Sequence, residues 1–155
     1  MSWQHIHLCT GILERDGCIL LVASRYPNHA RPLWNLPGGR QEAPESCVAA
    51  VAREFLEETS LVVSIGALAY VAESFDRSRS THFTNVAFHV DGTGGEAHVP
   101  RDDLHAIACE WVPRAELAAR LSVAVVREPL LGYLADPNRR FFSFADAGIT
   151  IEFAD

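Results

Sequence analysis

The sequence predicts a single α/β domain in which a mixed β-sheet carries a few helices on its faces. Short runs rich in valine, isoleucine, leucine and aromatic residues recur along the chain, and turns containing glycine, proline or aspartate separate them. Few segments have the length and pattern of helices. In a domain of this kind, each helix buries its apolar side against the sheet. The 155 residues have the length of one domain, 1–155.

The N-terminal half predicts a hairpin, a loop and one long helix. The segments are, in order, an alternating strand at 6–10, a turn at 14–17, a buried strand at 18–23, a loop at 25–33, a short strand at 34–37 and a helix at 44–59. Pro44 suits the first turn of this helix, where a missing N–H costs no helical hydrogen bond. The turn Gly38-Gly39 precedes the helix.

The C-terminal half predicts more strands and two short helices. The segments are strands at 61–72 and 82–90, a turn at 91–95, a strand at 109–112, helices at 114–121 and 128–134, and a closing hairpin of 141–144 with 149–153. Pro129 is acceptable only near the start of a helix, so the second helix is expected to begin beside it. The strands in mixed order predict a mixed sheet.

Composition and charge exclude several classes of function. A net charge of −7 argues against a protein that binds nucleic acid through a basic face. All 13 basic residues are arginine, so the chain has no lysine for a Schiff base or a phosphate-binding P-loop. No apolar stretch reaches the roughly 18 residues of a membrane span, and the N-terminus lacks the pattern of a secretory leader. We therefore expect a cytoplasmic protein without nucleic-acid or membrane partners.

The cysteine and histidine residues show no metal-binding spacing. The four cysteines are scattered without a C-x-x-C pair, which predicts buried thiols rather than a zinc site or a disulfide framework. His5 and His7 lie two apart on a predicted strand, but no cysteine or acidic residue has a recognisable spacing to them. We interpret this pair as structural or surface histidines.

Three glutamates lie close together on the long predicted helix. Glu54, Glu57 and Glu58 have i, i+3, i+4 spacing, so their side chains project from one helical face. Their repulsion costs a few tenths of a kcal/mol per pair, whereas a divalent cation bound by several oxygens makes the same arrangement favourable. The spacing therefore predicts a site for Mg²⁺ or Mn²⁺. A solvated, glutamate-rich helix face is the alternative.

The residues around these glutamates resemble the Nudix box of the Nudix hydrolases. The resemblance covers residues 39–61, and the six matching fixed positions are Gly39, Glu45, Arg53, Glu54, Glu57 and Glu58. Phe55 stands where the family usually has an aliphatic residue, and Ser60 stands where it has glycine. A serine forced into the left-handed conformation of a helix-ending glycine would cost about 1 kcal/mol. This substitution leaves the carboxylates intact.

The resemblance implies an α/β/α sandwich and metal-dependent hydrolysis of a pyrophosphate bond. It implies that Glu54, Glu57, Glu58 and the carbonyl group of Gly39 bind Mg²⁺ or Mn²⁺ as the cofactor. Glu57 or a loop carboxylate would be the general base. The rigid guanidinium fork of Arg53 would orient a ligand such as Glu45, or the loop before the helix. The predicted catalytic group is therefore Arg53, Glu54 and Glu57.

Several charged loop residues are further candidates. Arg25, Phe75, Arg77 and Arg79 could clamp a phosphate and stack on a base, although exposed loop charges explain these arginines equally well. The pair 102–103 precedes the strand at 109–112, where some members of the family place an extra catalytic carboxylate. A solvated loop pair is the other interpretation of these two aspartates.

The sequence leaves the substrate open within one chemical class. We expect a small-molecule nucleotide, either a nucleoside diphosphate linked to another group or a nucleoside triphosphate, and a homodimer is also open. A catalytically silent nucleotide sensor on the same fold is the rival hypothesis. Loss of one of the three glutamates would be its usual mark, and all three are present.

Overall fold

Eight strands form one mixed sheet in the computed structural model, which describes residues 2–92, 94–103 and 105–153. The strands are β1 Gln4–Arg15, β2 Cys18–Ser24, β3 Leu33–Asn35, β4 Gly38–Arg40, β5 Val63–Asp76, β6 Thr81–Gly92, β7 Ala106–Pro113 and β8 Phe141–Phe144. The helices are α1 Cys47–Thr59, α2 Leu117–Arg120 and α3 Ala124–Ala135, and a 3-10 turn at Arg114–Glu116 leads into α2.

The main strand order is β3-β2-β1-β6-β5-β8. The two remaining strands lie off this order: β4 pairs with β1, and β7 pairs with β2. The pairs β1–β6 and β5–β8 are parallel, whereas the other described pairs are antiparallel. One stretch of β1 lies between β4 and β6, so that Cys9 is opposite Gly39 on one side and Val86 on the other. Strand β4 is thereby fixed to the middle of the sheet.

Side chains on the two faces of the sheet form two separate apolar cores. Ile12 packs with Leu117 of α2 and Leu130 of α3, whereas its neighbour Leu13 packs with Phe55 of α1. Neighbouring residues of a strand point to opposite faces, so the sheet has α1 on one face and α2 with α3 on the other. This arrangement confirms the predicted α/β/α sandwich. No helix among the described residues is long and apolar enough to cross a membrane.

The long helix begins three residues later than predicted. Ser46 is the N-cap of α1, and its hydroxyl accepts a hydrogen bond from the N–H of Ala49 at 3.1 Å. A serine in this position satisfies a backbone donor that the helix itself leaves unpaired, which favours a helix that begins at Cys47. Pro44 and Glu45 therefore lie in the loop before α1, and the prediction for Pro44 was wrong.

The last helix was also placed wrongly. α3 begins at Ala124, so Pro129 lies inside it rather than beside its start. Pro129, Leu130 and Tyr133 are the buried residues of this helix. Their packing against the sheet outweighs the helical hydrogen bond that proline cannot donate.

The predicted closing hairpin does not form. Phe141–Phe144 is a strand, but it pairs in parallel with Val71–Ser74 of β5. Residues 149–153 are not a strand; after β8 the chain continues beside β5, where the N–H of Ala147 donates to the carbonyl of Phe75 at 2.9 Å. The predicted turn at 91–95 differs too, because β6 extends through Gly92, and position 93 lies outside the described residues.

Candidate active site

Arg53 holds the loop before α1 against the helix. Its Nε and Nη2 donate to the two carboxylate oxygens of Glu45 at 3.0 and 2.6 Å, and Nη2 also donates to the carbonyl of Arg40 at 3.1 Å. Its Nη1 donates to Glu54 at 3.0 Å and to Glu57 at 3.2 Å. The guanidinium of Arg53 lowers the pKa of Glu45 to about 2. One arginine thus joins the loop to two of the predicted ligands.

Gly38 and Gly39, predicted as a turn, instead form strand β4 with Arg40, and this strand contacts two glutamates of α1. The N–H of Gly38 donates to Oε1 of Glu58 at 2.8 Å. A Cβ at Gly39 would lie 2.5 Å from Oε1 of Glu54, so only a residue without a side chain allows this carboxylate to approach the backbone. Both contacts connect α1 to the same short strand.

Glu58 is buried and Glu54 is partly buried, whereas Glu57 is exposed. Burial raises the pKa of Glu58 well above its ordinary value, and the charge of Glu54 raises it further. Burial also raises the pKa of Glu54 to about 7, although Arg53 acts in the opposite direction. Glu57 has 52% of its side chain exposed. Ionising Glu54 and Glu58 therefore costs free energy that a bound cation would offset.

The chemistry of these groups fits a hard divalent cation. Carboxylate and carbonyl oxygens are the ligands that Mg²⁺ and Mn²⁺ prefer, and the missing side chain of Gly39 leaves room for Glu54 at its backbone. Within the described part of the chain, no three histidine, cysteine or acidic side chains already converge on one point as a metal site. Two of the three predicted carboxylates are thus held at β4, and Glu57 lies towards Arg53 and solvent.

A cavity of about 860 Å³ opens beside β4. Gly39 and Glu54 form part of its wall, and Trp34, Val125 and Val126 contribute apolar surface. The cavity therefore joins a carboxylate end to an apolar region, which is the combination that a ligand with a charged group and an aromatic ring requires.

Two of the four predicted substrate-binding residues lie at cavities. Arg25 is in the wall of the large cavity. Arg79 lies at a neighbouring cavity of about 580 Å³, where its guanidinium pairs with Glu152 at 2.5 Å. The two cavities share Arg40 and Phe153 in their walls.

The other two predicted residues have structural contacts elsewhere. The ring of Phe75 stacks on His82 with centroids 4.3 Å apart and lies edge-on to Trp3. Arg77 donates from Nε to the carbonyl of Ala145 at 3.1 Å. Neither residue is in the wall of these two cavities. The structure thus offers no support for a nucleotide contact by Phe75 or Arg77.

The two loop aspartates differ from each other. Asp103 lines the large cavity, whereas Asp102 is exposed and outside its wall. Oδ1 of Asp103 accepts hydrogen bonds from the N–H groups of His105 and Ala106 at 2.7 and 2.8 Å. One oxygen of this carboxylate therefore holds a backbone turn. His5 and His7 are exposed on β1 with their rings stacked 5.8 Å apart, as expected for surface histidines.

Sequence reasoning missed several residues of the cavity wall. Tyr26 lies in this wall, and burial together with the charges of Glu58 and Glu54 raises its pKa to about 12. Thr10 of β1 donates to the side-chain oxygen of Asn85 of β6 at 3.1 Å. The contact between Thr10 and Asn85 depends on the parallel pairing of β1 with β6. In the sequence, only the polar residue type of each within a strand pattern indicated a role for them.

The C-terminal segment, residues 145–153, also contributes to the cavity wall. The amide group of Asn28 donates to the carbonyl of Thr150 at 2.6 Å and accepts from the N–H of Glu152 at 2.9 Å. The ring of Phe153 packs under the guanidinium of Arg40 at 3.7 Å. These contacts connect the loop before β3 to the segment that follows β8.

Ser60 ends α1 in the left-handed conformation. Its φ is 64°, and its N–H donates to the carbonyl of Leu56 at 3.1 Å. Its hydroxyl donates to the carbonyl of His98 at 2.8 Å. The backbone thus adopts the glycine-like shape that the box pattern predicts, and the serine side chain adds a hydrogen bond that glycine would lack.

Comparison with known proteins agrees with the resemblance found at residues 39–61. The family model described as NUDIX domain matches residues 5–132. A putative 8-oxo-dGTP diphosphatase 2 of Mycobacterium tuberculosis is 38% identical over 133 residues, which cover 80% of this chain and 90% of that protein. An ADP-ribose pyrophosphatase of Methanocaldococcus jannaschii is 40% identical over 86 residues, which cover 56% of this chain and 50% of that protein.

Solved structures show the same fold. A NUDIX hydrolase from Nitrosomonas europaea superimposes with a TM-score of 0.73 at 22% identity, covering 89% of this chain and 93% of that chain. The E. coli ORF135 protein superimposes with a TM-score of 0.68 at 28% identity, covering 86% of this chain and 93% of that chain.

Proposed function

The chain belongs to the Nudix hydrolase family, and from this premise we propose that it is a divalent-metal-dependent enzyme that cleaves a pyrophosphate bond in a nucleotide. The observation that carries the proposal is the carboxylate pair of buried Glu58 and partly buried Glu54, held at Gly38-Gly39 beside a large cavity. Carboxylates with raised pKa values at a cavity are typical of functional sites rather than of stabilising ion pairs.

We assign metal binding to Glu54, Glu58 and the carbonyl of Gly39, whereas Glu57, also predicted as a ligand, is half exposed and contacts Arg53. A Mg²⁺ or Mn²⁺ ion held by these ligands would neutralise charge on the phosphate oxygens and would lower the pKa of the attacking water. Arg53 keeps Glu54 and Glu57 in place, because it bonds both of them and the loop that contains Glu45. Arg53 thus acts on the reaction by orienting other residues.

We assign the general base to Glu57. Glu58 is buried, Glu54 is partly buried, and both contact Gly38-Gly39 of β4, which suits ligands. Glu57 lies on the same face of α1 with half of its side chain exposed, so it can take a proton and pass it to solvent.

The cavity supports a nucleotide as the substrate. Its volume of about 860 Å³ lies in the range of small-molecule sites, and its apolar wall suits a base. The ring of Trp34 is backed by the guanidinium of Arg120 at 4.4 Å, which fixes the ring within this wall. We propose a nucleoside diphosphate derivative or a nucleoside triphosphate. The names of the mycobacterial and archaeal relatives both refer to compounds of this class.

A nucleotide panel tests the proposal. Purified protein with Mg²⁺ is incubated with nucleoside triphosphates, nucleoside diphosphate sugars and dinucleoside polyphosphates, and the products are identified by mass. We expect a nucleoside monophosphate from at least one compound. Glu54→Gln should lower this turnover at least about a hundredfold. Glu116→Gln, an exposed position in the 3-10 turn outside the cavity wall, is the matched control and should retain full activity.

Two outcomes would contradict the proposal. If nucleotides bind but none is cleaved, the protein is a sensor rather than an enzyme. If Glu54→Gln and Glu116→Gln both retain full turnover, the activity does not depend on the carboxylates at β4.

A further inference from the structure

We propose that the hydroxyl group of Tyr26 donates a hydrogen bond to the diphosphate of the substrate, and that Asp103 positions this tyrosine through His105. The inference rests on the proposed function, because it adds a substrate-contacting residue and a positioning residue to that reaction. Neither tyrosine nor aspartate belongs to the box at 39–61; both come from loops that meet it only in the folded protein.

The placement of Tyr26 is the first step of the inference. Tyr26 lies in the wall of the same cavity as Gly39 and Glu54. Two edge-on ring contacts hold it, one with His105 at 5.0 Å and one with Phe153 at 6.2 Å between centroids. The interplanar angles are 81° and 85°. Because a phenol hydroxyl lies on the axis of its ring, fixing the ring also fixes the direction of the donor.

The cavity wall around Tyr26 indicates which part of the substrate it meets. Gly39 and Glu54, to which metal binding is assigned, lie in the same wall as Tyr26. A metal held there would bring phosphate oxygens to the same place. A neutral phenol can approach these oxygens without adding negative charge, and it can donate a hydrogen bond to the charge that develops on them.

The hydrogen bonds of Asp103 explain how the tyrosine is held. Oδ1 of Asp103 accepts from the N–H of His105 at 2.7 Å and from the N–H of Ala106 at 2.8 Å. The carbonyl of His105 accepts from the N–H of Arg25 at 2.9 Å, and the ring of His105 packs on Tyr26. Asp103 therefore fixes the turn that carries both contacts to the tyrosine loop.

This role differs from that of a catalytic carboxylate in a way that one substitution can separate. Asparagine keeps the Oδ1 acceptor for both N–H groups but cannot take a proton from water. Alanine removes the acceptor altogether. Asp103→Asn should therefore preserve activity if Asp103 positions the turn, and Asp103→Ala should not.

The test measures kcat, KM and the melting temperature of four variants on the best compound of the nucleotide panel. Tyr26→Phe keeps the ring and should lower kcat at least about tenfold, with KM changed less than about threefold and the melting temperature unchanged. Asp103→Asn should stay within about threefold of the parent protein, and Asp103→Ala should lose about as much kcat as Tyr26→Phe. Tyr133→Phe, which removes a hydroxyl bonded to His89 outside the cavity wall, should leave kcat unchanged.

The double variant Tyr26→Phe/Asp103→Ala completes the test. If Asp103 acts through Tyr26, the double variant should be no slower than the slower single variant, because the two residues act as one unit. Parent-level kcat in Tyr26→Phe would overturn the donor role. Equal losses in Asp103→Asn and Asp103→Ala would overturn the positioning role. A parent protein that cleaves no nucleotide would overturn the proposed function itself, and this inference with it.

Discussion

The two ends of the candidate site are built in different ways. The carboxylate end comes from one continuous stretch, 39–61, in which strand β4 is followed by a capped helix. The walls of the cavity come from distant parts of the chain; Asn28 and Thr150, for example, are 122 positions apart. The carboxylate end can therefore be located from residue spacing, whereas the cavity walls depend on the whole fold.

The largest expected effect lies at the carboxylate end. Glu57→Gln removes a charge and the proposed base while it keeps the volume of the side chain, so kcat should fall at least about a hundredfold. The free energy of unfolding should change little, because the side chain is half exposed. Steady-state kinetics and a denaturation curve measure both. Turnover within about threefold of the parent protein would show that Glu57 is not the base.

A second prediction concerns the stability of the same end. Burial raises the pKa of Glu54 from its ordinary value of about 4.5 to about 7, so the folded state binds the proton more tightly than the unfolded state. Metal-free protein should therefore lose stability as the pH rises from about 4.5 to about 7, by on the order of 2–3 kcal/mol. Added Mg²⁺ should restore stability at pH 8 and have little effect at pH 5.

Thermal unfolding at several pH values, with and without Mg²⁺, measures this linkage. The variant Glu54→Gln should weaken the pH dependence of the metal-free protein without abolishing it, because burial also raises the pKa of Glu58. An unchanged melting temperature across this pH range in the parent protein would contradict the raised pKa of the carboxylate.

A third prediction concerns the cavity walls. Asn28→Ala removes both hydrogen bonds to the C-terminal segment, at Thr150 and Glu152. These bonds are at the surface, so the loss of stability should be only about 1 kcal/mol. Because the carboxylate end is untouched, KM should rise several-fold while kcat stays within about threefold. If kcat falls as strongly as in Glu57→Gln, the two ends of the site are not separate.

The smallest expected effect is at Ser60. Glycine would relieve a left-handed backbone cost of about 1 kcal/mol, but it would also lose the hydrogen bond to the carbonyl of His98. Ser60→Gly should therefore change the free energy of unfolding by less than about 0.5 kcal/mol. Ser60→Ala keeps the backbone cost and loses the bond, so it should destabilise by about 1 kcal/mol. The denaturation midpoints of both variants check the balance, and equal midpoints would show that the backbone conformation carries no cost.

The predictions from sequence succeeded where the determining contacts are local. The hairpin of β1 and β2 and the long helix α1 both depend on contacts within short stretches of the chain. The predicted turn at Gly38-Gly39 was wrong, because these residues form strand β4 by pairing with β1. The helix start failed, because the capping preference of Ser46 outweighed the suitability of Pro44 for a first turn. Pro129 failed because burial of its helix outweighed the local penalty.

The substrate side could not be predicted, since no local spacing records its contacts. β8 pairs with β5 instead of with the residues after it, which leaves 145–153 to contact Asn28 and Arg40. In the same way, Tyr26 and Glu54 share a cavity wall, and the ring contact of Tyr26 comes from His105, in the turn that Asp103 holds. Phe75 and Arg77, chosen from their local pattern, contact the sheet and the chain after β8 instead.

The most direct test of the central claim is the metal dependence of turnover on the best substrate of the panel. Activity should vanish in excess chelator and return when Mg²⁺ or Mn²⁺ is added beyond the chelator concentration, because the carboxylates held at β4 require a cation to meet the diphosphate. Full activity in excess chelator would contradict the account.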